Sequence, residues 1–361
     1  MIRLRIDNIE TEARQDQTIL DVARNNGIFI PVLCHADQLE PCASCMICVV
    51  KNKKSNTYVP SCTALVEEGM DIDASGSEVR ALRQRTLELL FSEHRAECEA
   101  PCRVACPEGY NIPLMNRLLS SGKVKDAVEL TLAETAGKHL RCYTCKGYCE
   151  NACRRKKIDL PVSIRNLKIF VYETIAKDKI DNPSVYRQSK EENDTTEGYI
   201  LKRRFSSRTG KLDDTELKEG LKECTVAIQR NKEINDFNSA GPEAASCMHC
   251  DCRAGDNCKL RELASLMQVK DKLEKVTGVP VRKKVNNQTG LVFENAKCIK
   301  CGLCVRICED TSDAPALCFL NRGFVSLISE PLTAEFDDIL KEQAEKCVNI
   351  CPTGALGWIT D

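Results

Sequence analysis

The chain has 361 residues, room for two to four domains, with 52 Lys+Arg set against 53 Asp+Glu. That balance points to neither nucleic acid nor a membrane surface, and no apolar run reaches spanning length. No export signal is legible, so cytoplasm is the expected compartment, where the 24 cysteines read as metal ligands rather than disulfides.

Residues 1–80 alternate short strands with a helix. Ile2–Ile6 alternates apolar and charged residues with strand period, and Thr18–Asn26 reads as a helix capped near Asp16–Thr18 and closed by Gly27. Met46–Val50 is a further strand, and Arg80–Glu93 an amphipathic helix. Residues 81–185 read as helical between cysteine loops, with helices over Ile112–Leu119 and Val124–Ala136 separated at Gly122. Residues 186–245 are charged and linker-like, with one helix expected over Thr215–Ala227. Residues 246–290 hold a cysteine-rich segment and a helix over Leu260–Glu274, and residues 291–361 form the last domain.

The cysteines fall in tight groups, as metal centres require. The first is Cys34-x10-Cys45-x2-Cys48-x13-Cys62, four thiols with a C-x2-C pair in one loop, which suits a [2Fe–2S] cluster. Its surroundings, Gly27-Ile-Phe-Ile-Pro-Val-Leu-Cys-His and Val59-Pro-Ser-Cys-Thr-Ala-Leu, resemble the N-terminal ferredoxin domain of the large iron–sulfur subunit of respiratory complex I. Multimeric hydrogenases and formate dehydrogenases carry the same domain, and the resemblance implies a β-grasp fold. Cys42 matches no ligand position.

The next two groups are His94-x3-Cys98-x3-Cys102-x3-Cys106-Pro107 and Cys142-x2-Cys145-x3-Cys149-x3-Cys153. With Glu99-Ala-Pro-Cys-Arg-Val-Ala-Cys-Pro and Cys149-Glu-Asn-Ala-Cys-Arg-Arg, they resemble the helical two-cluster domain of the glutamate synthase small subunit and of dihydropyrimidine dehydrogenase. The resemblance implies two [4Fe–4S] cubanes, one on Cys98, Cys102 and Cys153, the other on Cys106, Cys145 and Cys149. The family's first cysteine is missing here. His94 stands near its place, either as a ligand or as a structural histidine, and Cys142 is the candidate fourth ligand of the second cubane.

Cys247, Cys250, Cys252 and Cys258 form a fourth group that suits a cubane or a tetrahedral zinc ion. The fifth, Cys298-x2-Cys301-x2-Cys304-x3-Cys308, is a ferredoxin run in which the fourth cysteine serves another cluster. Cys298, Cys301 and Cys304 therefore belong with the remote Cys351-Pro352. Only Cys347, with Cys318 as an addition, remains to join Cys308, so a further full cluster is not expected there.

The expected fold class is multidomain α+β: a β-grasp [2Fe–2S] domain, a helical two-cluster domain and a C-terminal bacterial-ferredoxin-like domain. The expected cofactors are one [2Fe–2S] cluster and about four [4Fe–4S] clusters. No G-x-G-x-x-G or P-loop run is present, and the basic runs Arg154–Lys157 and Lys202–Arg204 read as solvated loops. The resemblances imply an electron-transfer subunit, from an anaerobe, with no catalytic site of its own. Its partners would be an NAD(P)H-binding flavoprotein carrying FMN or FAD and a second redox subunit, with electron bifurcation as an extension. Two other readings stand beside it: a stand-alone reductase with an open-coordination cluster near Cys308, Cys318 and Cys347, and a zinc-binding scaffold.

Overall fold

The computed structural model describes residues 1–94, 97–135, 139–181, 221, 233–255, 257–269, 279–309 and 316–359. These fall into two units. One comprises residues 1–94 with the described part of 257–357; the other comprises the described residues of 97–256 and 358–359.

The chain opens with strands β1 (Ile2–Ile6) and β2 (Ile9–Ala13), antiparallel from Ile2↔Ala13 to Ile6↔Ile9. Asp7 and Asn8 join them with φ of 50° and 69°, the two left-handed residues of a tight hairpin turn. Ile2, Leu4 and Ile6 point inward while Arg3 and Arg5 stay in solvent, so the alternation becomes one buried face. Helix α1 (Ile19–Asn25) starts at a reciprocal capping box between Thr18 and Asp21 and buries Ile19, Leu20, Val22 and Ala23 on that face.

Strands β3 (Val49–Asn52), β4 (Thr57–Pro60) and β5 (Asp71–Asp73) complete a five-stranded sheet ordered β2-β1-β5-β3-β4, with β5 parallel to β1. The expected strand over Met46–Val50 begins only at Val49, because Met46 has a φ of 54° and the chain around it forms a cysteine loop. Helix α2 (Ser77–Glu93) starts three residues before the expected Arg80. Gly76 caps it: the Asp73 carboxylate accepts the Gly76 N–H at 2.6 Å, and a Cβ there would meet that carboxylate at 2.1 Å. Arg83, buried on α2, donates to the Val49 carbonyl at 3.1 and 2.7 Å and fixes the helix to β3.

The second unit is helical: α3 (Pro101–Ala105), α4 (Ile112–Ser120), α5 (Val124–Thr135), α6 (Tyr148–Ala152), α7 (Ile164–Asp181) and α8 (Phe237–Ala245). Gly122, at φ 72°, ends α4. The Lys123 and Gly122 amides reach back to the Leu118 and Leu119 carbonyls at 2.8 and 3.1 Å. Ile112, Met115, Leu119, Leu130, Leu167, Val171, Ala240 and Ala244 share one core. Helix α8 falls within the expected linker 186–245. It packs on α4, and its buried Glu243 accepts the Ser163 N–H at 2.7 Å. Its small residues read as linker in sequence, yet they let two helices approach closely. The helix expected over Thr215–Ala227 lies, but for Leu221, outside the described residues.

The chain then returns to the first unit with α9 (Lys259–Leu266). This helix stops eight residues short of the expected Glu274. Gln268 turns left-handed, φ 53°, and the Val269 amide closes on the Ala264 carbonyl at 2.9 Å. Strands β6 (Lys283–Val285) and β7 (Leu291–Glu294), helix α10 (Leu303–Glu309), hairpin strands β8 (Cys318–Leu320) and β9 (Leu327–Ser329), helix α11 (Ala344–Ile350) and strand β10 (Leu356–Trp358) complete the chain. The three-stranded sheet is ordered β10-β7-β6. Among the described residues no helix is long and apolar enough to cross a membrane.

Candidate metal centres

Cys34, Cys45, Cys48 and Cys62 converge, all buried. Cys48 and Cys62 bring their sulfurs to 3.4 Å, and the Cys45 N–H donates to the Cys34 sulfur at 3.4 Å. Hydrogen bonding with Cys34 brings the Cys45 thiol down, and Cys62 does the same for Cys48. Left-handed residues at Ala43 and Met46 turn the loop inward around Cys45. Cys42 faces solvent beside Ser44.

In the same unit, Cys298 and Cys301 come from the loop entering α10, Cys304 from its first turn, and Cys351 caps the end of α11. Burial pushes the Cys298 thiol up to about 12, and the neighbouring Cys351 adds to the rise. Cys304 is pushed up by burial, then by Cys298, Cys351 and Cys301. Burial likewise raises Cys301, and three thiols that burial keeps from ionising need a cationic core to become thiolates. Lys300 and Gly302, at φ 54° and 75°, shape the loop, and the Lys300 N–H donates to Cys298 at 3.3 Å.

These two loops touch. Arg306 of α10 donates to the carbonyl of Cys34 at 3.1 Å and to that of Glu40, while Ser44 Oγ reaches the Cys301 carbonyl at 3.5 Å.

Cys308 and Cys347, on α10 and α11, are buried with their sulfurs 3.2 Å apart. Cys318 stands on β8 with Glu330 as its charged neighbour. His94 is buried at the C-terminal end of α2, its ring 6.0 Å edge-on from that of Phe91. Cys258, also in this unit, caps the start of α9.

In the second unit, Cys106, Cys142, Cys145 and Cys149 line a cavity of about 180 Å³. Burial pushes Cys149 up to about 12, whereas Lys168 draws Cys142 back against the same effect. Lys168 is 1% exposed. Its ammonium lies 3.8 Å from Cys106 Sγ, 3.7 Å from Glu108 and 4.2 Å over the Tyr110 ring. Arg165 holds the Cys142 carbonyl at 3.2 and 3.1 Å. Sequence reasoning named neither cation, and nothing in their local pattern distinguishes them from surface charge.

Beside this cavity is a second, smaller hollow of about 20 Å³, lined by Cys102, Cys153, Cys247 and Cys250 together with Asn116 and Arg154. The segment carrying Cys247 and Cys250 is fastened here by two buried arginines. Arg117 pairs with Asp251 at 3.0 and 2.8 Å, and Arg155 donates to the Ser246 carbonyl at 2.6 Å while binding Asp159. Arg155 is 1% exposed and Arg154 pairs with Glu97, so the run expected to be solvated is in part buried structure. Lys202–Arg204 lies outside the described residues.

Cys98 does not line this hollow, and its carbonyl accepts the Cys252 N–H at 3.2 Å. Cys247, Cys250 and Cys252 belong to the second unit and Cys258 to the first. Among the described residues, no three or more His, Cys, Asp or Glu are gathered as ligands of a single metal ion.

Three stretches of the chain match known family models. Residues 1–76 match a 2Fe-2S iron-sulfur cluster binding domain, 87–180 the dihydropyrimidine dehydrogenase domain II with its 4Fe-4S cluster, and 291–357 the ferredoxin-like domain of NADH-quinone oxidoreductase subunit 3. The three matched stretches are iron–sulfur domains. The chain is 27% identical over 125 residues to the alpha subunit of an NADPH-Fe(3+) oxidoreductase from Geobacter sulfurreducens, covering 35% of this chain and 14% of that one. It is 31% identical over 98 residues to the gamma subunit of the NAD-reducing hydrogenase HoxS of Cupriavidus necator, 27% of this chain and 41% of that. It is 35% identical over 104 residues to the HndD subunit of the NADP-reducing hydrogenase of Solidesulfovibrio fructosivorans, 27% of this chain and 18% of that. Each match thus spans less than half of the relative's length.

Proposed function

We propose that the chain relays single electrons between an NAD(P)H-binding flavoprotein and a second redox subunit of a cytoplasmic oxidoreductase complex. Cys34, Cys45, Cys48 and Cys62 would hold a [2Fe–2S] cluster. Cys106, Cys142, Cys145 and Cys149 would hold one [4Fe–4S] cluster, and Cys298, Cys301, Cys304 and Cys351 another. Such centres supply one-electron chemistry when bound. The protein's own residues bury the thiols, aim backbone amides at them and place compensating charge beside them.

The sheet order β2-β1-β5-β3-β4 with α1 across it supports a β-grasp domain over 1–80, followed by a helical two-cluster domain over 81–185 and a ferredoxin-like domain over 291–361.

The observation that carries the relay is the direct contact between two cysteine loops. Arg306 and Ser44 bond the Cys34–Ser44 loop to the Cys301 loop, so two one-electron sites share a rigid wall. Nothing comparable favours a stand-alone reductase, whose open site would need Cys318 beside Cys308 and Cys347. Anaerobic iron, sulfide and zinc analysis with an EPR-monitored redox titration tests the reading. Several distinct one-electron signals are expected, and near-stoichiometric zinc with little iron would sink it.

A further inference from the structure

The hollow around Cys102 resolves a gap left by the two-cluster motif, whose first cysteine is absent from this sequence. We propose that Cys247 and Cys250, from beyond residue 186, join Cys102 and Cys153 as the four ligands of a [4Fe–4S] cluster inside the helical domain. This assignment rests on the electron-relay reading and specifies one of its sites.

Three observations support it. The four cysteines line one hollow and come from three separate segments, the start of α3, the end of α6 and the turn after α8. The Cys247-Met-His249-Cys250 turn has a left-handed third residue, φ 46°, like Lys300 at φ 54° in the Cys298-Ile-Lys300-Cys301 turn. A residue in that conformation between two thiols turns backbone amides inward, as an anionic sulfur cage requires. Finally, Asn116 is fully buried, lines the hollow and turns its side-chain amide toward Cys247. An amide N–H aimed at ligand sulfur is the kind of neighbour that a cluster's thiolates and sulfides accept from.

The fastening of the segment agrees with this role. The buried Arg117–Asp251 pair, next to Cys250, and Arg155 on the Ser246 carbonyl, next to Cys247, bracket the two thiols. Arg154 adds positive charge near Cys250, which suits a site whose four thiolates outweigh the charge of the iron–sulfide core.

The test is epistasis of iron content in the full chain, purified anaerobically. Cys102→Ser, Cys250→Ser and the double variant are compared for iron, sulfide, zinc and EPR. Each single variant should lose about four irons, and the double variant no more than either one. If serine retains the cluster, the same EPR signal must shift in both single variants. A double variant losing about eight irons would show two separate centres and overturn the assignment, while leaving the relay reading intact. Wild-type chain with zinc in this site and iron in the others would also overturn it, whereas wild-type chain without iron would overturn the relay reading itself. Asn116→Leu guards against misfolding of the cysteine variants. It should keep the full iron content and move the midpoint potential of that same signal; unmoved potentials throughout would count against the proposal.

Discussion

Lys168 offers a quantitative test of how the protein tunes a centre. Its ammonium sits 3.8 Å from Cys106 Sγ and is 1% exposed, so bulk water screens it little. A unit charge at that distance from a thiolate, at an effective dielectric of about 20, interacts by about 4 kcal/mol. A cluster spreads the incoming electron over a larger volume, so about half of that acts on the reduction step. Since a tenfold change in a one-electron equilibrium is about 59 mV, the consequence is on the order of 100 mV. Lys168→Met keeps the side-chain bulk and removes the charge. One [4Fe–4S] signal in an EPR-monitored titration should therefore move down by roughly 100 mV. Lys168→Arg should restore most of the loss. Shifts below about 20 mV for every signal, at unchanged iron content, would refute a charge-tuning role.

Three further outcomes are expected. Arg117→Ala leaves Asp251 buried without its bidentate partner and should cost about 3–5 kcal/mol in denaturant unfolding, while Arg117→Met with Asp251→Leu recovers much of it. A double variant as unstable as the single would contradict that account. Tyr110→Phe removes a buried hydroxyl that bonds Thr131 at 2.5 Å and should lower stability by about 1 kcal/mol, read as a shifted midpoint at unchanged slope. Arg306→Met frees the Cys34 and Glu40 carbonyls. It should alter the magnetic interaction between the [2Fe–2S] signal and one cubane signal at full iron content; identical relaxation behaviour in the two proteins would argue against Arg306 as the fastener.

Local order was legible wherever its cause is local. The alternation of Ile2–Ile6, the Thr18–Asp21 capping box and the Cys298–Cys304 run each carry their reason within a few residues, and each element stands close to its expected place. What sequence could not show was where segments meet. The spacing of Cys247 and Cys250 reveals a turn, but not that the turn lines one hollow with Cys102. The missing first cysteine near His94 marks a departure from the family pattern without saying which segment, if any, replaces it. Arg155 illustrates the same limit for charge: a basic run looks alike whether water or a buried carbonyl receives its donors. The α9 overrun to Glu274 has a similar origin, because a left-handed Gln268 leaves no glycine to mark the stop.

The distance along the chain between cysteines that share a hollow sets a schedule for biogenesis. The set from Cys106 to Cys149 is complete early in synthesis, whereas Cys250 follows Cys153 by 97 positions. At about 5–20 residues per second, that is an interval of roughly 5–20 s. During it, Cys102 and Cys153 emerge with half of their hollow unmade, so on the assignment proposed above machinery delivering iron and sulfide would meet one finished cradle and one unfinished cradle.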